Sequence, residues 1–171
     1  LTEPFFISEQ TRALTNWNNI LIGLTNPKDV KNNAYFGVTD VKIDNKEGNY
    51  VVQTQKKKVL AELTIIIENI PKGTEMSGKA LDCAWCLFPT QKNSDGEYGL
   101  PSIEPTEVEL PTLLATESTL KSEVIRLMPT IQGSSSSHIY LRLLLPDETL
   151  QEFDITAPMM KVGGKYELRF K

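Results

Sequence analysis

Two cysteines, one histidine and a run of serines are the residues of this chain whose types and spacing could do chemistry. Cys83-Ala84-Trp85-Cys86 has the spacing of a redox or half-zinc motif. A zinc site would need a second ligand pair, and His138 is the only other soft donor. A redox pair would sit at the start of a helix, whereas Leu81 to Phe88 reads as strand. On a strand, side chains three apart point to opposite faces, so a Cys83–Cys86 bond would require the strand to break. We therefore read two buried thiols acting as small apolar residues. His138 follows the serines at 134 to 137, an arrangement that suggests a nucleophile and its base. Nucleophilic catalysis also needs an oriented base and an oxyanion hole, and no elbow motif is present. His138 is expected on the solvated face of a strand. Glu104, Glu107 and Asp147 cannot be paired in space from sequence, so a glycosidase pair is neither supported nor excluded. Gly163-Gly164 is a turn pair rather than a phosphate cradle. The expectation is a protein that is not an enzyme, with no catalytic residue, metal or cofactor. Trp17, Trp85 and Tyr98 are the candidates for stacking on a ligand; Trp85 is expected in the core, and Tyr98, in a loop with Gly and Asp, is the better exposed.

The elements that would position these residues are mostly strands. At 171 residues, with 40% hydrophobic and 23% charged, the chain is long and apolar enough for a packed core. A net charge of −4 and the lack of a basic stripe with interleaved aromatics argue against nucleic acid. No apolar run approaches the roughly 20 residues of a membrane-spanning helix. The chain opens on Leu1 rather than Met, which fits a processed or trimmed chain and a removed export signal.

Val59 to Ile67 is the organising stretch. Val59, Ala61, Leu63, Ile65 and Ile67 alternate with a face that is more polar at its centre, which predicts a strand half in a core. Asn49 to Thr54, Lys79 to Phe88, Ser122 to Met128, Ser137 to Leu145, Thr149 to Ile155 and the last residues after Gly163-Gly164 also read as strands. Thr106 to Leu110, between Pro105 and Pro111, reads as an edge strand. Pro89 to Pro105 reads as loop. Ala13, Leu14, Trp17, Ile20, Leu21 and Leu24 recur at helical spacing, with strand as the alternative over 17 to 24. The expectation is an all-β antiparallel sandwich with a minor helix near the N-terminus. We divide it into a small N-terminal remnant or subdomain, 1–55, and a β-sandwich domain, 56–171.

The order of segments resembles the fimbrillin and fimbrial-anchor lipoproteins of Bacteroidales. Asn33-Ala34-Tyr35-Phe36-Gly37-Val38 resembles the aromatic-Gly segment that ends their first domain. The lysine-led Val59 to Ile65 resembles the first strand of their second domain. Glu123 to Met128, Ile139 to Leu145 and Gly164 to Phe170 resemble their closing strands. The resemblance is one of pattern over residues 33 to 171, and the chain departs from it in lacking most of a first domain and a lipid-bearing cysteine at its start. It implies transthyretin-like, Greek-key sandwich domains, export to the outer membrane or cell surface, and a structural role as pilus subunit, tip or anchor. It also implies partners: other fimbrial subunits joined by strand exchange, and a host or glycan ligand. A surface carbohydrate-binding module is the alternative. Under the resemblance, the best donor strand carries Tyr166, Leu168 and Phe170, although pairing within its own sheet is the simpler reading. Arg12 is the expected processing point.

Overall fold

The computed structural model describes residues 5–7, 19–44 and 47–171. The first strands in chain order are β1 (Phe5–Ile7), β2 (Ile22–Leu24), β3 (Tyr35–Phe36), β4 (Lys57–Lys58) and β5 (Ala61–Glu68). Then come β6 (Glu75–Ala84), β7 (Cys86–Lys92), β8 (Tyr98–Pro101), β9 (Pro105–Glu109) and β10 (Leu113–Leu114). The last are β11 (Thr119–Lys121), β12 (Ile125–Leu127), β13 (Ser136–Leu144), β14 (Leu150–Pro158) and β15 (Lys165–Phe170). The protein is all-β, a sandwich-like stack of sheets whose pairings are antiparallel except for β5–β15.

Two of the sheets contain a long strand whose sequence alternates over much of its length, β5 in one and β13 in the other. β5 is central to one: β15 runs parallel along one side, while β11 and β12 follow each other along the opposite side. Val59, Ala61, Leu63, Ile65 and Ile67 are all buried, as their spacing requires. β6 is central to the second sheet, with β9 and β10 on one side and β13 then β14 on the other. Ile139, Leu141 and Leu143 of β13 point inward. The third sheet has the order β1-β2-β7-β8, and β3 and β4 make a two-stranded ribbon. Ile22, Leu63, Leu87 and Leu141 belong to one continuous core, so the three sheets close on a shared apolar interior. The expected boundary at 55/56 falls just before β4, and strands from both sides of it, β2 and β7, pair in one sheet.

Several elements differ from the sequence expectation, each for a physical reason. Lys79 to Phe88 is not one strand: it bends at Trp85, where the chain leaves the second sheet for the third. Ser122 to Met128 is interrupted because the Ser122 hydroxyl, not a strand partner, accepts the Ile65 N–H at 2.9 Å. Pro89 to Pro105 is not all loop: residues 89–92 belong to β7, and β8 fills 98–101. Pro89 is tolerated because the β7–β8 ladder breaks between Phe88 and Lys92. The Asn93 side chain builds the intervening turn, accepting the N–H of Asp95 and Glu97 at 3.0 and 2.9 Å. The N-terminal helical stripe ends as strand β2 at Ile22–Leu24, paired on both sides, and its earlier residues lie outside those described.

Asn49 to Thr54 joins no ladder. With residues 37–44 it forms an arm held by side chains: the Thr39 hydroxyl lies 2.8 Å from that of Thr54, and the Tyr50 hydroxyl donates to the Asp44 carbonyl at 2.9 Å. Gly37 lets the base of the arm close, since a Cβ there would lie 2.5 Å from the Thr54 methyl. Gly99, at φ +101, leaves room for the Phe36 ring.

Candidate interaction surface

The Cys-x-x-Cys segment forms the corner between two sheets. Ser102, itself buried, holds it: its hydroxyl accepts the N–H of Trp85 at 3.1 Å and of Cys86 at 3.4 Å. Its own N–H donates to the Cys86 carbonyl at 3.0 Å. Both thiols are buried and free. Burial, with Asp82 nearby, pushes the Cys83 thiol up to about 12. Burial raises Cys86 to about 11 against an opposing hydrogen bond from Ser102. Such thiols hold almost no thiolate near neutral pH, so the corner is poorly suited to redox exchange. The strand does break, as a disulfide would require, yet the thiols stay unbonded. Trp85, expected in the core, stands 41% exposed on the outside of the corner.

The serine–histidine arrangement also comes apart. Ser137 and His138 are neighbours on β13 and face opposite ways; Ser137 is fully buried and its hydroxyl has no hydrogen-bond partner among the described residues. His138 is directed outward to Asp82, whose Oδ2 accepts the His138 backbone N–H at 3.0 Å and lies 2.6 Å from Nδ1. The contact pins β13 to β6. Of the three carboxylates, Glu107 pairs with Lys79 at 3.2 Å and Asp147 caps its own turn through the Thr149 N–H at 3.0 Å. Glu104 is exposed. Among the described residues no group of His, Cys, Asp and Glu could hold a metal ion. None of the described helices is long and apolar enough to cross a membrane, which says nothing of a β-barrel.

Tyr98 is engaged on two sides. Its hydroxyl donates to Asp40 Oδ1 at 2.5 Å, and the Lys92 ammonium lies 4.9 Å from its ring centroid. The hydroxyl holds the Asp40 carboxyl below the usual carboxylate range, and Lys92, 3.6 Å away, adds to this. The cluster ties the arm to the β7–β8 hairpin and occupies the face a stacking ligand would use. Arg12 and Trp17 lie outside the described residues. Two open grooves of about 760 and 740 Å³ flank the sheets. Two of the lysines that line them are engaged, Lys28 with Glu109 at 2.7 Å and Lys57 with Glu97 at 3.3 Å.

The strand edges are the more distinctive surface. In β15, Tyr166, Leu168 and Phe170 are half-buried against the core, and all six residues are in register with Glu62–Ile67 of β5. The Tyr166 hydroxyl accepts the Lys161 N–H at 2.7 Å, and Arg169 binds Glu68 at 2.5 Å. The strand is thus paired inside its own chain. β14 is different. It pairs with β13 over nine residues and, among the described strands, with nothing on its other side. Phe153 is opposite buried Leu141 and so lies on the core-facing side, yet it is 43% exposed. The opposing layer does not reach it. Sequence reading found β14 as a strand but not as an open edge, because edge status depends on which partners the rest of the chain supplies. The exposed Val51 and Val52 of the arm were legible as strand formers, and only the missing ladder marks them as an unpaired surface.

No protein family model and no curated protein matches this chain. Among solved structures, the chain is similar along its whole length to the crystal structure of a "putative adhesin" from Bacteroides ovatus. The likeness has a TM-score of 0.53 at 10% identity and covers 72% of that protein. It shows a shared fold.

Proposed function

We propose that this protein is a non-enzymatic cell-surface protein that works in adhesion or as a fimbrial subunit. The observation that carries the reading is the shared fold, over the whole of this chain, with the Bacteroides ovatus putative adhesin. Two features agree with it. The residues with chemical potential are spent on structure: the thiols pack a corner, His138 pins two strands, and Tyr98 ties down the arm. The open β14 edge and the exposed apolar arm offer contact area instead. The finer reading, a pilus stalk, tip or anchor component in an outer membrane, comes from the sequence resemblance.

The test is location and attachment in the native host. Intact cells would be treated with protease and probed for loss of the full-length protein, and a deletion strain compared for attachment to glycan-coated surfaces or partner cells. Loss of the protein from intact cells and reduced attachment are expected. A protein that survives shaving of intact cells, but not of lysed ones, would overturn the reading. Trp85 supports the alternative of a carbohydrate-binding module, because an outward indole is what a sugar ring stacks on. Glycan binding that disappears in Trp85→Ala, with the melting temperature unchanged, would favour it.

A further inference from the structure

The outward faces of the β5 and β6 sheets carry opposite charge. On the first, the ladder register turns Glu62 and Glu68 of β5 away from the core, together with Arg126 of β12, Lys121 of β11 and Lys165, Glu167 and Arg169 of β15. Lys58 and Lys171 join them, with Nζ 2.9 Å from Glu62 and 4.0 Å from Glu68. Six cations thus share three carboxylates, in a chain whose net charge is −4. At the border of this face Lys31 is held by Asp29 at 2.7 Å and Glu123 lies nearby, which leaves the excess positive. On the second face the balance is reversed: Glu75, Asp82, Glu107, Glu109, Glu152 and Asp154 stand against Lys79, Arg142 and the incoming Lys28. The basic face also has an unmet donor. Arg126 Nε is buried without a hydrogen-bond partner, since Glu62 Oε1 stays 3.9 Å away and already takes Lys58. Arg126 and Lys121 both line the open groove of about 760 Å³ beside the sheet. We propose that the outward face of the β5 sheet, with the groove at Arg126, binds an acidic polysaccharide, one that bears carboxylate or sulfate groups along its chain. This rests on the surface-adhesion reading and names the chemical class that would be bound.

The shape and make-up of the face select this partner. Lys165, Arg169 and Lys171 are spread over about 20 Å of one strand, which suits an extended polyanion rather than a single small anion. The guanidinium of Arg126 is a fork that matches a carboxylate or sulfate presented from such a chain. None of the exposed aromatic rings, Tyr35, Tyr50, Trp85 and Phe153, belongs to these four strands. A single-stranded nucleic acid would lack rings to stack on, and a bilayer would lack the aromatic anchors that seat a protein at its headgroups. Stacking on the acidic face of a second copy would bury charge on both sides with little apolar surface at the centre, which is unlike a protein interface. A hydrated polyanion leaves the same cations in contact with water and still gains from their excess.

Titration of the whole chain with polygalacturonate, dextran sulfate and neutral dextran, at low and at physiological salt, tests this. Binding to an acidic polymer that weakens with salt, and none to dextran, is the expected result. Lys121→Glu and Lys165→Glu change exposed side chains on either side of β5, and each should lower affinity by about tenfold. Arg126→Lys keeps the charge but loses the fork, and should also lower it. Lys42→Glu makes the same change of net charge in the arm and should leave affinity within about twofold. Thermal melts check that each variant is folded. Failure to bind either acidic polymer at low salt overturns the proposal. So does a loss in Lys42→Glu as large as in the face variants, or tighter binding to phosphatidylglycerol vesicles than to either polymer. Self-association that the face variants abolish would assign the face to a second copy instead and overturn it equally. A purified chain that ignores both polymers leaves the surface location standing, since protease shaving of intact cells reads that separately.

Discussion

Glu62 shows how one side chain serves the central sheet. It lies on the outer face of β5, largely buried, with Lys58 Nζ at 2.9 Å and Arg126 Nε at 3.9 Å. The hydrogen bond from Lys58 is the main reason its carboxyl is held below the usual glutamate range, with Lys58 charge, Asn33 and Lys165 adding to the effect and burial opposing it. A carboxyl depressed in the folded state contributes stability above its unfolded pKa. That contribution is lost as pH falls through the lowered folded value. Glu62→Gln should therefore lower the melting temperature most near neutral pH, and the gap from wild type should close below about pH 4. Paired melts at pH 7 and pH 3 measure this, and a gap that widens on acidification would contradict it. The core residues make a simpler case. Leu63 and Leu141 are almost fully buried, so truncating either to Ala should cost about 2–5 kcal/mol by denaturant titration. Both positions could be named from sequence, because alternation on a strand fixes which side chains face inward. Ser102 could not. Its role depends on a corner at Trp85 that no local pattern announces.

At the scale of elements, the sequence shows strands well and their limits poorly. β13 and β15 were readable because apolar and polar residues alternate along most of their length, and β5 because alternation leads into the β-branched run Ile65-Ile66-Ile67. β6 and β7 read as one strand because the run Lys79 to Phe88 has no Gly, Pro, Asn or Ser to mark a turn; only the demands of two different sheets bend it. The exposed arm was read as strand for the converse reason: propensity was present, but the neighbouring segment 37–44 meets it through side chains and no ladder forms. β15 brings a more consequential question. Its apolar face made it the best donor strand by sequence, and the structure pairs it with β5 in parallel over Lys165–Phe170. Removing it would expose one side of the central strand and unroof Ile65 and Ile67. Deleting Lys165 to Lys171 should give a chain that is insoluble or melts far below wild type. A soluble deletion variant with native circular dichroism would instead restore β15 as an exchangeable strand.

The whole molecule is held by pairings between residues far apart in the chain. Glu62 pairs with Lys165, and Ile22 of the segment before the arm pairs with Leu87. The second of these bears on domain organisation. A cut at 55/56 would sever β1 and β2 from the sheet they share with β7 and β8, and would take Ile22 and Val30 out of a core that also holds Leu63 and Leu141. Two units joined in this way cannot melt independently without exposing apolar surface of the other, at roughly 25 cal/mol per Å². Calorimetry of the full chain should therefore show one cooperative transition, with calorimetric and van't Hoff enthalpies in agreement. The same topology sets the kinetics. Loop closure has to precede the rewarding contacts, and all-β domains of this kind refold in about milliseconds to seconds rather than microseconds. The arm should take no part in either process, since it joins no ladder. Replacing 39–54 with a short Gly-Ser linker should leave the main transition within a few degrees of wild type. Two resolved transitions in the intact chain would show that the residues before the arm form a unit of their own. One transition that collapses when the arm is replaced would show that the arm is part of the core it was thought to project from.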